Sequence, residues 1–222
     1  MGKHQLRTWL AVALGIVAVV TVAFFMYGYY LRREARSVLE DVSALTLAPD
    51  RDAAFAALKR KYGHRLTPLD GCSANMCSYQ VTVSNGLLSA LFRFPYTELN
   101  GRFDQRGKSI VLVMVEYRSA QSNRDSPVVN IQTDFCVNGC GNFDFFYVHP
   151  WTQSSTPERW NGTVEMGFAA APELRRAALS LNPNCLTKIS GCIDIAQLLP
   201  LVWKPSATGV RCVIANREGQ AR

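Results

Sequence analysis

Seven cysteines carry most of the chemistry available to this 222-residue chain. Six fall into close pairs, Cys72/Cys77, Cys136/Cys140 and Cys185/Cys192, and Cys212 is left over. Thiols at such spacings can form disulfides, hold a metal or run redox chemistry. The C-x4-C and C-x3-C spacings fall in the loose range of structural zinc sites. No C-x2-C knuckle is present, however, and His4, His64 and His149 have no ligand spacing. The absence of C-x-x-C argues against a thioredoxin-type centre. Local bridges in an oxidising compartment fit the pattern best, with neighbour pairing as the expectation. Each would close a short loop and contribute about 2 kcal/mol. Cys212 alternates with Val210 and Ile214, as a small buried hydrophobe on a strand does, and is expected to be an unpaired thiol.

Acid–base chemistry has one candidate cluster. Asp134, Asp144 and His149 lie on or beside two strand-like segments and could converge. On alternating strand positions Asp144 also reads as a solvated residue, and His149 precedes Pro150 in a loop. Gly101–Ser109 misses a phosphate loop by one residue and leads into a strand rather than a helix, so it reads as a polar hairpin turn. Asn161-Gly162-Thr163 is a glycosylation acceptor, meaningful only in a eukaryotic secretory pathway. There is no Gly-x-Ser-x-Gly elbow and no His-Glu-x-x-His helix. No catalytic residue, metal or cofactor is assigned.

The elements that must hold these residues follow from periodicity. Val128–Phe135 and Phe143–Val148 read as strands around Cys136-Val137-Asn138-Gly139-Cys140, whose Asn-Gly predicts a tight hairpin with the two cysteines facing across its mouth. Cys77, Tyr79, Val81 and Val83 alternate with polar residues, as in a half-buried strand. Ile110–Tyr117 is apolar and β-forming, Thr163–Ala169 alternates, and Val210–Ile214 is a last strand. Leu87–Phe94 fits either a short helix or a strand. Helices are predicted at Pro172–Leu181 and Ile193–Leu199. Asp50 suits an N-cap, Phe55, Leu58 and Tyr62 form a stripe, and Gly63 suits a stop.

Ahead of these elements runs an uncharged stretch, Thr8–Leu31, flanked by Trp9 and by Tyr27, Tyr29 and Tyr30. As a helix it rises about 36 Å, enough to cross a hydrocarbon core of roughly 30 Å. Aromatic rings sit where lipid meets water. No small-x-small cleavage site follows, so the run predicts an uncleaved anchor rather than a removed signal. Leu31, Ala35, Val38, Leu39, Val42 and Leu45 continue at helical spacing to about Leu47. Basic residues flank both ends, so charge leaves orientation near a tie. The cysteines, all after the anchor, place the N-terminus in the cytoplasm and the domain in the periplasm or cell exterior.

The net charge is +7, and residues 1–36 hold five Lys/Arg against one Glu. The excess is thus largely juxtamembrane, where it can attract anionic head groups. Basic residues are not interleaved with exposed aromatics, so no nucleic-acid partner is expected. The predicted division is a cytoplasmic N-terminus (1–7), the transmembrane anchor (8–31), juxtamembrane helices (32–65), a disulfide-stabilised sheet domain (66–215) and a polar tail (216–222). The fold class is α+β, an antiparallel sheet with helices on one side.

A long apolar helix leading into such a sheet resembles the layout of type IV pilins. The likeness is architectural. The Gly-Phe-Thr-Leu processing sequence is missing and no Glu stands in the apolar segment, so membership of that family is not assigned. The functional expectation is a single-pass, non-enzymatic binding or envelope-assembly module. Its partners are the bilayer, through residues 8–31, and a protein or envelope component. The alternative is an envelope enzyme built on Asp134, Asp144 and His149. A purely structural subunit, self-associating through Gly15 and Ala18, is a third reading.

Overall fold

The computed structural model describes residues 3–69, 72–73, 75–120, 128–135, 146–150, 161–192, 195–202, 205–206 and 209–210. One helix, α1, runs unbroken over Lys3–Leu47. Nothing in its sequence stops it before Pro49, which follows its end. Its two halves have different surroundings. Trp9, Leu14, Val19 and Phe25 are exposed, whereas Leu31, Ala35, Val38, Leu39, Val42 and Leu45 are buried in the domain core. Among the described residues this is the one helix long and apolar enough to cross a membrane, and none of its apolar window is buried. A core helix of a soluble domain has the opposite pattern.

The second helix, α2, spans Arg51–Tyr62. The Asp50 carboxylate accepts the Ala53 N–H at 2.9 Å, and Gly63 adopts φ 51° beyond the last turn. Both ends therefore follow the local cap chemistry. Its stripe of Phe55, Leu58 and Tyr62 is buried, with the Phe55 ring 5.5 Å from Phe103 and 5.7 Å from Tyr79. Tyr62 donates to Asp41 of α1 at 2.7 Å, and Arg65 pairs with Glu34, so α2 is tied back along α1.

Seven strands form one sheet: β1 (Thr67–Pro68), β2 (Met76–Ser84), β3 (Tyr96–Arg106), β4 (Ser109–Ala120), β5 (Val128–Asp134), β6 (Phe146–Pro150) and β7 (Asn161–Gly167). Their order is β1-β2-β3-β4-β5-β7-β6, and every pairing is antiparallel except β5 with β7. Short helices α3 (Gly86–Phe92), α4 (Pro172–Ala178) and α5 (Ile195–Leu198) complete the domain, with a 3₁₀ turn at Pro183–Leu186. Residues Pro205–Ser206 (β8) and Gly209–Val210 (β9) form a separate small pair. The architecture is α+β. The inner sheet face, including Val81, Leu99, Phe103, Val115, Ile131 and Val164, joins α1, α2 and the 3₁₀ turn in a single core.

Two local expectations are corrected. The predicted hairpin of Val128–Phe135 with Phe143–Val148 does not form, because β7 lies between β5 and β6. Ile131 of β5 pairs in parallel with Val164 of β7, and Val148 of β6 pairs with the other edge of β7. The Asn-Gly signal is local, whereas strand order is decided by which apolar faces meet across the whole sheet. Second, Gly101–Ser109 is not a turn. Gly101 sits mid-strand in β3, and the turn is confined to Gly107 (φ 59°) and Lys108. Gly101 is required there by close approach, since a Cβ would lie 3.2 Å from Val81 and 3.4 Å from Val38 of α1.

Candidate functional site

A strand whose inner residues face helices turns its alternate residues outward. On β3 those are Glu98, Asn100, Arg102 and Asp104. Register carries the pattern across the sheet. Thr82, Asn100, Glu116, Asn130 and Thr163 stand side by side in one row, and Gln80, Arg102, Met114, Gln132 and Glu165 in the next. The outer face is thus a polar lattice with a small apolar centre at Leu112 and Met114.

Hydrogen bonds fix this lattice. Asn100 Oδ1 accepts from Gln80 Nε2 at 2.9 Å and from Thr82 Oγ1 at 2.7 Å, while its Nδ2 donates to Glu98 at 3.1 Å. Arg102 donates to Asp104 at 3.0 Å and to Ser78 at 3.3 Å. Arg118 pairs with Glu116 at 2.8 Å, which raises the guanidinium pKa. Gln132 donates to Asp134 at 3.0 Å. Tyr96 donates to Glu98 at 2.9 Å, and burial together with that bond pushes its phenol pKa up. In the middle of the face the Asn130 side-chain oxygen is buried without a hydrogen-bond partner. A buried acceptor without a partner carries a desolvation cost.

The candidate acid–base residues do not meet. Asp134 pairs with Gly167 and the His149 backbone with Thr163, on opposite edges of β7. Four residues along the strand and two strand spacings across it separate their backbones by roughly 16 Å. General acid–base partners act within about 3 Å. Asp144 lies outside the described residues. Among the described residues no group of three His, Cys, Asp or Glu side chains could hold a metal ion.

Four of the cysteines sit in two disulfides, Cys72–Cys77, which ties the approach to β2 onto its second residue, and Cys185–Cys192, which ties the 3₁₀ turn to the segment after it. Cys185 and Cys192 are buried, and the Cys185 carbonyl accepts from the buried Tyr117 hydroxyl at 3.4 Å. This second bridge therefore secures the segment that packs under β3 and β4. Cys136, Cys140 and Cys212 lie outside the described residues.

A second feature lies at the junction of α1 with the domain. A cavity of about 510 Å³ is lined by Phe24, Phe25, Gly28 and Arg32 of α1, Leu88 of α3 and the turn Thr187–Ser190. Arg32 Nη1 donates to Thr187 Oγ1 at 3.0 Å, and Lys188 Nζ donates to Gln197 at 3.2 Å. Phe24 packs edge-on against Phe92 with ring centres 5.1 Å apart, and 5.7 Å from Phe94. Ile189 in the cavity wall and Leu87, Leu91 and Phe92 of α3 are exposed. No periodic motif marks these residues in the sequence. Their signal is a paradox visible only in the fold, namely apolar side chains left outside on a short helix.

No protein-family model, curated protein or solved structure matches the chain. Its function is therefore read from this geometry.

Proposed function

We propose that the chain is a single-pass, signal-anchored protein whose domain stands in the periplasm or at the cell exterior. There the outer face of its sheet binds a partner protein or an envelope component without catalysing a reaction. The observation that carries the reading is the continuity of α1, which supplies an exposed apolar stretch and then, without a break, six residues of the domain core. A removed signal has no reason to continue as the central core helix. The disulfides support an oxidising compartment, where such bridges persist. The hydrogen-bonded polar outer face, with side chains ordered by one another, supports recognition.

The test is a photo-crosslinking amino acid placed at Gln132 or Met114 in the full chain, with a core position such as Val115 as control. The expected result is one discrete adduct from the outer-face positions, absent from the control and from an anchor lacking the domain. Equal capture by the anchor alone overturns the binding role. Maleimide labelling of intact and permeabilised cells, with and without reductant, tests sidedness. Thiols that need permeabilisation of the cell membrane but no reductant in order to label would place the domain in the cytoplasm and overturn the reading.

A further inference from the structure

The cavity between α1 and the Thr187–Ser190 turn lies at a defined depth. Counted from Thr8 at about 1.5 Å per residue, Phe24 lies roughly 24 Å along the helix, Gly28 about 30 Å and Arg32 about 36 Å. A hydrocarbon core of roughly 30 Å that starts at Thr8 therefore ends near Gly28, in the wall of the cavity. Phe24 and Phe25 line its apolar end. Arg32 and Lys188 line its polar end, one turn further out.

The charge is one-sided. Glu34 is the one carboxylate between residues 24 and 36, and it is bound to Arg65. Among the described residues Arg32 and Lys188 form no ion pair, and each uses its hydrogen bond on a neutral side chain. Arg33 and Arg36, next along α1, and Arg93, at the end of α3, are exposed. In the wall of the cavity Ile189 is 76% exposed, and Leu91 of α3, the helix that supplies Leu88 to that wall, is 64% exposed. Large apolar side chains so exposed are explained if they face lipid rather than water.

We infer that this cavity holds one anionic phospholipid from the leaflet on the domain's side, its phosphate between Arg32 and Lys188 and its acyl chain along Phe24, Phe25 and Leu88. The exposed residues of α3 and Ile189 dip into the same leaflet and seat the domain on the bilayer. The lipid is favoured over a second copy of the chain because the cavity continues the surface of the membrane helix itself, and because its rim is cationic. The inference rests on the reading that Thr8–Leu31 lies in a bilayer.

The full chain is reconstituted in nanodiscs of phosphatidylcholine containing one-fifth phosphatidylglycerol and transferred to mild detergent. Native mass spectrometry then counts the lipids retained. The expected result is one phosphatidylglycerol per chain, enriched over its share of the disc. Lys188→Glu, on an exposed turn, lowers that occupancy by at least about fivefold, as expected for losing a cation beside a head group. Arg32→Lys keeps it, and Gly28→Leu, which fills the cavity, removes it. Retention in the supplied proportion, no effect of Lys188→Glu, or a lipid-free dimer overturns the inference. Alkaline carbonate extraction separates the two levels of the argument. A chain stripped from vesicles overturns the anchor and this inference together, while a chain that stays embedded but retains no lipid overturns the inference alone.

Discussion

If the membrane helix is also the core helix of the domain, its contact with β3 must be energetically coupled to folding. Gly101 is the place to test this. A Cβ at Gly101 approaches Val81 to 3.2 Å and Val38 to 3.4 Å, so Gly101→Ala forces both neighbours to give by a few tenths of an ångström. Overpacking of this size costs about 1–2 kcal/mol. Val38→Ala removes two buried methyl groups from α1, at about 0.8 kcal/mol each plus a cavity term, or roughly 2 kcal/mol. The double variant gives the new methyl part of the vacated space. Val81 still constrains the other side, so relief is incomplete and the coupling is about 1 kcal/mol. Guanidinium unfolding of the full chain in detergent, followed by intrinsic fluorescence, measures all three losses. Additivity within about 0.3 kcal/mol refutes the contact between α1 and β3 on which the architecture stands.

Other consequences can be checked separately. Replacing Cys185 and Cys192 by serine opens a loop with a sequence separation of 7 and should cost about 2 kcal/mol, lowering the melting temperature by several degrees; an unchanged melting temperature in reductant contradicts the bridge. A Gln132→Cys/Glu165→Cys pair, neighbours on β5 and β7, should form a disulfide under mild oxidation, since adjacent strands lie about 4.8 Å apart. Failure to form it, with efficient bridging of β5 to β6 instead, would restore the simple hairpin. Burial raises the phenol pKa of both Tyr62 and Tyr117 above the ordinary 10.0. Their stabilisation is complete below pH 10 and is lost as pH rises through the folded-state values, because the unfolded chain ionises first. The denaturation midpoint should therefore hold steady up to about pH 10 and fall as pH rises above it, and Tyr62→Phe should flatten part of that fall; a flat profile above pH 10 in the parent chain contradicts the burial of both phenols.

Sequence patterns were most legible where local chemistry decides structure. Asp50 and Gly63 mark the ends of α2 because capping is a short-range event. The spacing of Leu31, Ala35, Val38 and Val42 marks the buried stripe of α1 because side chains three and four apart share a face. The strand β3 was missed although its alternation of Leu99, Gly101 and Phe103 with Asn100, Arg102 and Asp104 is regular. Half of it is charged or amide, and a glycine stands where a core residue is expected. The reason for that glycine, the approach of Val38, is a tertiary contact invisible along the chain. The order β5-β7-β6 was equally hidden, since β5, β6 and β7 are all strand-like and nothing local says which neighbours which. The polar face and the junction cavity both depend on these non-local placements.

The double use of α1 leads to a last prediction. Six core side chains of the domain, Leu31, Ala35, Val38, Leu39, Val42 and Leu45, belong to the same helix as the apolar stretch. Burying them is worth on the order of 10 kcal/mol, an upper estimate because denatured chains are already partly collapsed. That is comparable with the whole stability of an ordinary domain, 5–15 kcal/mol by the usual range, so the fold cannot survive their loss. Removal of residues 1–23 takes away side chains of which the described ones, Gln5 and residues 7–23, are exposed, and should leave the domain folded in detergent, with cooperative unfolding retained. Removal of residues 1–47 should abolish cooperative unfolding, because the inner sheet face then loses its long core helix and keeps only α2 and the 3₁₀ turn over it. The measurement is near-ultraviolet circular dichroism through a thermal ramp for both truncations. A cooperative transition in the shorter chain would mean that the domain closes its core without α1. It would then be linked to its anchor only as a tether, free to turn above the membrane.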